Sequence, residues 1–178
     1  VTRREALAAA LASGAFFLVP GLLAAAEGEE IATGPAEPFS FDHLREMAKA
    51  LAAAPFEPAV VPDATLLDSI DYDLHQKIAF REEDTLWRGD PGTAKVRFFH
   101  PGRYFKEPVR IYVVDGAEAR EIPFSTKLFD MPSDHPAHML GQGAGFAGFR
   151  VMDPEEANDW MAFLGASYWR TSGYSGQF

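Results

Sequence analysis

The chain is 178 residues long, carries a formal net charge of −10 and contains no cysteine, while fifteen Phe, five Tyr and three Trp supply a large apolar inventory. That length suits one domain of ordinary size, and the missing cysteines exclude disulfide stapling and thiol chemistry, so stability must come from an apolar core. The acidic balance, with basic residues scattered among acids rather than clustered, excludes a nucleic-acid partner and disfavours an anionic membrane surface.

Thr2-Arg3-Arg4-Glu5-Ala6-Leu7 runs into an apolar stretch, residues 6–26, that closes on Ala24-Ala25-Ala26. The paired arginines form a positive start, Phe16-Phe17-Leu18-Val19 the apolar centre, and Ala24 and Ala26 the small residues of an A-x-A cleavage site. Residues 1–26 therefore read as a twin-arginine export signal, recognised by the twin-arginine machinery and cut after Ala26. Helix-breaking Pro20 and Gly21 argue against a permanent membrane anchor, which needs roughly 20 strongly apolar residues. Cleavage leaves 152 residues, 178 less 26, starting at Glu27, with a net charge of −11 once Arg3, Arg4 and Glu5 are gone. The mature protein is expected to fold before export and to work outside the cytoplasm.

Residues 27–38 are rich in Gly, Pro, Ala and Glu without periodicity and read as a disordered start. Phe41, Leu44, Met47 or Ala48, and Leu51 then fall at helical spacing, with Ser40 as N-cap and Pro55 as the stop, which predicts one short amphipathic helix over 41–54. From Ile70 onward the texture is β. Ile78-Ala79-Phe80 and Thr85-Leu86-Trp87 are weak strands, and Val96-Arg97-Phe98-Phe99 is a stronger one stopped by Pro101-Gly102. A hairpin turns at Asp115-Gly116 between residues 109–114 and 119–122, and two further strands cover 146–152 and 160–170. The spacing predicts a mainly β sandwich with a single long helix. Val1 stands where Met would start a chain, and the closing Ser175-Gly176-Gln177-Phe178 reads as the beginning of another strand, so a longer parent protein is expected.

Gly143-Ala144-Gly145-Phe146-Ala147-Gly148 matches G-x-G-x-x-G, but the dinucleotide fingerprint needs a helix after it, and here a strand and then Pro154 follow. The glycines read instead as the lead-in to a tightly packed strand. Asp134-His135-Pro136-Ala137-His138 places a carboxylate and two imidazoles together, yet Pro136 prevents helical presentation and no cysteine completes a ligand set, so no metal is assigned. His43, His75 and His100 are isolated in sequence. Ser125 and Ser167 lack a nucleophile elbow, and Gly165-Ala166-Ser167 reads as close packing within a strand. Of the acids Asp71, Asp73, Glu82, Glu83, Asp84, Asp130, Asp153, Glu155 and Glu156, the runs at 82–84 and 155–156 read as solvated turns rather than a glycosidase acid and base.

The aromatics point to carbohydrate. Sugar rings stack their C–H faces on Trp and Tyr while Arg binds their hydroxyls, so Trp87, Arg88, Tyr104, Tyr168, Trp169 and Arg170 are candidate substrate-binding residues. Strand alternation sets a limit, because on Tyr168-Trp169 one ring should face in and the next out.

Asp71-Tyr72-Asp73, Leu86-Trp87-Arg88-Gly89, Phe98-Phe99-His100-Pro101-Gly102, Glu121-Ile122-Pro123-Phe124-Ser125, Gly145-Phe146-Ala147-Gly148-Phe149-Arg150 and the run from Phe163-Leu164-Gly165 through Ala166-Ser167-Tyr168-Trp169-Arg170 appear in unbroken order. With them, residues 39–178 resemble the family of osmoregulated periplasmic glucan biosynthesis proteins, in its D branch because of Arg3-Arg4. The resemblance implies the first part of a large β-sandwich of galactose-mutarotase-like type, followed in family members by an immunoglobulin-like domain absent here. It also implies a periplasmic role with β-1,2-linked glucan as partner, no cofactor, and similarity of some members to inverting β-1,2-glucanases. The alternative it leaves is a non-catalytic protein that binds glucan and receives it from the membrane glucan synthase. No catalytic residue carries over, since the family's acids lie beyond Phe178, and residues 27–178 alone are expected to be inactive and unstable.

Overall fold

The computed structural model describes residues 31–165 and 167–172. The predicted leader, the first four residues of the predicted disordered start and the closing Ser175-Gly176-Gln177-Phe178 lie outside the described residues.

Helix α1, Phe41–Ala53, forms where its period predicted. The Ser40 side chain accepts a hydrogen bond from the His43 amide at 3.1 Å, and Ala54 is already extended, as a residue before proline prefers. No residue of α1 is buried, and its stripe of Phe41, Leu44, Met47 and Leu51 faces outward. Two short helices were not foreseen, α2 at Ala64–Ser69 and α3 at Tyr72–His75. Both are too brief for a 3.6-residue period to register. Asp71 caps α3 by accepting from the Leu74 amide at 3.1 Å, and α2 sinks Leu67 into the core.

Among the described residues nine strands form three antiparallel sheets. β1 (Glu37–Pro38), β5 (Glu118–Ile122) and β4 (Ile111–Asp115) make one sheet, in the order β1-β5-β4. Glu37 and Pro38, read from sequence as part of a disordered start, pair instead with Ala119 and Glu118, and the Gly34 amide donates to the Glu121 carbonyl at 2.7 Å. Two paired residues are too few to show alternation. The β4–β5 hairpin turns through Gly116 and Ala117, with Gly116 at φ +57, the sign a two-residue hairpin loop requires.

β2 (Ala79–Phe80) pairs with β6 (Phe129–Asp130). The largest sheet has the order β3-β7-β8-β9, from Val96–Phe99, Gly148–Met152, Asp159–Leu164 and Tyr168–Thr171. Thr85-Leu86-Trp87 does not form a strand: Leu86 makes one bridge to Val96, and Trp87 then turns the chain at φ +61. The single strand predicted over 160–170 is a hairpin. Gly165 at φ +61 reverses the chain there, so Gly165 and Ser167 belong to a turn and not to a strand.

All three sheets contribute to one core. Phe80, Phe98, Phe124, Phe129 and Phe146 are each at most 6% exposed and meet at centroid separations of 4.7 to 6.5 Å, joined by Ile122 from β5 and Leu67 and Ile70 from the helical segment. At about 1.5–3 kcal/mol per buried large side chain, these five rings alone supply on the order of 10 kcal/mol of burial. The fold is mainly β, as the sequence predicted.

Candidate functional site

Alternation in the four-stranded sheet sends Val96, Phe98, Phe149, Val151 and Phe163 to one face and Arg97, Phe99, Arg150, Ala162, Tyr168 and Arg170 to the other. Register aligns Arg97, Arg150, Ala162 and Arg170 in one row across β3, β7, β8 and β9. Arg97 is buried and satisfied, its Nε donating to Thr85 Oγ1 at 2.9 Å and its Nη2 to Glu156 Oε2 at 2.8 Å. Arg170 pairs with Asp159 at 2.8 Å. Arg150 differs: it has no ion pair within salt-bridge distance among the described residues, and its guanidinium carbon sits 5.5 Å from the centre of the Phe99 ring. Burial pulls its pKa below the ordinary arginine value; Asp159 opposes this, and Arg97 and Arg170 add to it.

At the β3 start of this sheet, the loop of residues 88–95 and residues 152–154 enclose a pocket of about 490 Å3 with Trp160 on its wall. Both loops are internally braced. Lys95 Nζ donates to the carbonyl oxygens of Trp87 and Asp90, Thr93 Oγ1 donates to Asp90 at 2.6 Å, and the Asp153 carboxylate accepts from the Ala157 and Asn158 amides at 2.8 and 3.0 Å. Trp160 remains 41% exposed and Arg88 is exposed beside it. An indole face and a guanidinium at the rim of an open pocket of this size suit an extended, hydroxyl-rich ligand.

The six predicted binding residues do not form one site. Trp87 and Arg88 stand at the end where β8 begins, and Arg88 lines the pocket. Tyr168 pairs with Leu164 at the far end of β8, five residues and about 17 Å away. Tyr104 belongs with that far end, because a Cβ on Gly165 in the β8–β9 turn would lie 4.0 Å from the ring of the adjacent Phe105. Trp169 and Arg170 lie on the outer strand β9. Tyr168 and Trp169 are 51% and 60% exposed, so neither ring faces in, because β9 has no described neighbour on its outer side and only thin cover over either face. Trp160 was missed; reading 160–170 as one strand hid that it flanks a loop.

The other candidates resolve into structural roles. His135 and His138 are taken by backbone: His135 Nδ1 accepts from the Ala137 amide at 3.1 Å, its Nε2 donates to the Leu74 carbonyl at 3.1 Å, and His138 Nε2 donates to the Pro132 carbonyl at 3.0 Å. Among the described residues no group of three metal-ligating side chains converges. His75 and His100, isolated in sequence, meet in space with ring centres 6.4 Å apart. Glu83 pairs with Arg81, which holds its carboxyl below the usual carboxylate range, and Asp71 caps α3. Glu156, read as part of a solvated turn, instead neutralises buried Arg97. Gly145 and Gly148 of the glycine run stand against Pro108 and the Phe163 carbonyl, so these glycines serve close packing.

A family model described as periplasmic glucan biosynthesis protein, MdoG, matches residues 39–178. The glucans biosynthesis protein D 2 of Ralstonia nicotianae is 44% identical over 97% of this chain and 34% of its own length. The glucans biosynthesis proteins D of Xylella fastidiosa strain 9a5c and Xanthomonas campestris pv. campestris strain B100 are 37% and 36% identical over 82% and 98% of this chain, and 27% and 33% of their own lengths. The chain thus spans about a third of the length of the curated relatives it matches. With a match of this extent laid over a mainly β fold, the chain belongs to the periplasmic glucan biosynthesis protein family.

Proposed function

We propose that the whole protein trims or remodels β-1,2-linked glucan in the periplasm, in the manner of an inverting glucanase. The observation that carries this reading is the family match over residues 39–178. The pocket rimmed by Arg88 and Trp160 supports it, as an indole and a guanidinium suit pyranose rings and their hydroxyls. This segment then provides part of the cleft wall. Inversion needs a general acid and a water-activating base about 6.5–9.5 Å apart, and no cofactor. Glu83, Glu156 and Asp159 are engaged by arginines and Asp153 by backbone amides, which supports placing the reacting pair in the rest of the protein.

The test is to incubate the whole mature protein with linear β-1,2-glucan and follow new reducing ends and the anomer first released. New ends of inverted configuration support the proposal. Binding without new ends supports the second reading, a scaffold that accepts nascent glucan from the membrane synthase; the structural employment of these carboxylates favours it for the segment by itself. Export through the twin-arginine machinery is part of the proposal, and it predicts that replacing Arg3 and Arg4 by Lys retains the precursor in the cytoplasmic fraction.

A further inference from the structure

Arg97, Arg150 and Arg170 share one row of the four-stranded sheet, on strands β3, β7 and β9, with about 4.8 Å between neighbouring strands. Glu156 answers Arg97 and Asp159 answers Arg170, each at 2.8 Å. Three cations thus share two carboxylates, and the surplus charge falls on Arg150, in a chain whose formal net charge is −10. A partly buried cation without a counter-charge is costly, and native proteins pair such groups.

The geometry marks the atoms that await a partner. The Arg150 guanidinium lies over the Phe99 ring, a contact that uses its flat face and leaves its N–H edge free. Nε is closed off from solvent and has no hydrogen-bond partner. The outer nitrogens, Nη1 and Nη2, also lack a partner among the described residues, but they are not sealed, so a group from outside reaches them. Arg150 lines an open cavity of about 210 Å3 beside the end of β3, together with His75, Gln76, Phe99 and His100. The imidazole hydrogens there are spent on backbone: His75 Nε2 donates to the His100 carbonyl at 2.9 Å, and His100 Nδ1 to the Pro101 carbonyl at 2.6 Å. Gln76 is exposed on the same wall, and its side-chain amide is a further donor. Water would satisfy the guanidinium hydrogens and leave the charge unanswered, and a cation would be repelled. An oxyanion answers both, because two of its oxygens match the fork of N–H groups in parallel bonds.

We infer that Arg150 anchors an oxyanion site, with Nη1 and Nη2 donating to two oxygens of a carboxylate or phosphate group at the mouth of this cavity and Gln76 alongside. The group comes from a small molecule or from an acidic side chain of the rest of the protein, since this chain spans about a third of the length of its curated relatives. The site is separate from the pocket at Trp160 and does not rest on the glucan reading.

The test uses the whole mature protein in Tris chloride, with inorganic phosphate and acetate as probes against chloride at equal ionic strength. A free oxyanion raises the melting midpoint saturably, and Arg150→Met weakens phosphate binding at least tenfold, as loss of a hydrogen bond to a charged group does. An acidic side chain of the protein itself gives another pattern. Neither probe acts, Arg150→Met lowers the denaturant midpoint, and Arg150→Lys, which keeps the charge without the fork, lowers it less. That loss should persist in an Asp159→Asn background, because Asp159 is the carboxylate already close enough to act on Arg150. If Arg150→Met does not express, Arg150→Lys carries both arms, with phosphate held more weakly or the midpoint lowered. A probe effect that survives the substitution overturns the inference. So does a midpoint at or above that of the unsubstituted protein when neither probe acts, or a loss that vanishes with Asp159→Asn.

Discussion

The carbonyl oxygen of Phe163 on β8 lies 2.0 Å from the point where a Cβ on Gly148 of β7 would stand, and Gly148 has a φ of +153. The two strands meet at the Gly148–Leu164 register pair only because position 148 has no side chain. Gly148→Ala should therefore destabilise the protein by about 3 kcal/mol or prevent soluble expression, through combined clash and backbone strain. Gly89→Ala, which meets nothing within 4 Å, should stay within about 0.5 kcal/mol. Denaturant midpoints compare the two, and an unchanged midpoint for Gly148→Ala would refute the packing argument.

Arg97 keeps only 7% of its side chain exposed, against 24% for Glu156. Glu156→Gln leaves a buried guanidinium without its counter-charge. We expect a loss of about 2 kcal/mol, below the about 3–5 of a fully buried pair because Glu156 remains partly in water. A double-mutant cycle with Arg97→Met should show strong coupling, and additive losses would mean that the pair does not act as one.

His100 gives the protein a defined acid response. Its folded pKa of about 4 lies below the ordinary 6.5, so between these values the unfolded chain binds a proton that the folded protein excludes. The stability present above pH 6.5 is thus lost as pH falls from about 6.5 to 4 and changes no further below, a total of about 3 kcal/mol from this residue. His100→Gln should flatten that part of the stability curve. An identical slope in the variant would assign the effect elsewhere.

For glucan binding, Trp160→Ala and Arg88→Ala should each weaken the affinity of the whole protein for β-1,2-oligosaccharides by about tenfold or more, as loss of a stacked ring or a charged hydrogen bond does. Tyr104→Ala, at the other end of the sheet, should have a smaller effect in the same isothermal titration. The reverse order would move the binding site to the β8–β9 turn.

Much of the fold was legible because its signals are local. The period of α1, its Ser40 cap, the Gly116 hairpin and the alternation of β3 and β7 each lie within a dozen residues. The β8–β9 hairpin was missed because its turn, with Gly165 and the small Ser167, reads equally well as a strand of small residues. β1 was missed because its partner lies some eighty residues away and its two paired positions carry Glu and Pro.

The site was less legible, for a physical reason. Arg88 was singled out by type, but its companion Trp160 lies seventy-two positions on, and only the docking of two loops brings them together. His75 and His100 are twenty-five residues apart, so no window places their rings together. Nothing in the residues around Glu155-Glu156 announces that Glu156 turns inward to neutralise Arg97.

The proline of β1 also governs how molecules of this protein meet. Among the described residues β1 forms one margin of its sheet, and a margin with a full set of backbone donors invites a strand from a neighbouring molecule. Pro38 cannot donate, and Pro35 just before it cannot either. A chain approaching along β1 finds acceptors without alternating donors, so self-assembly through this margin stalls. The short segment that joins the start of the domain to β5 thereby also acts as a guard against aggregation.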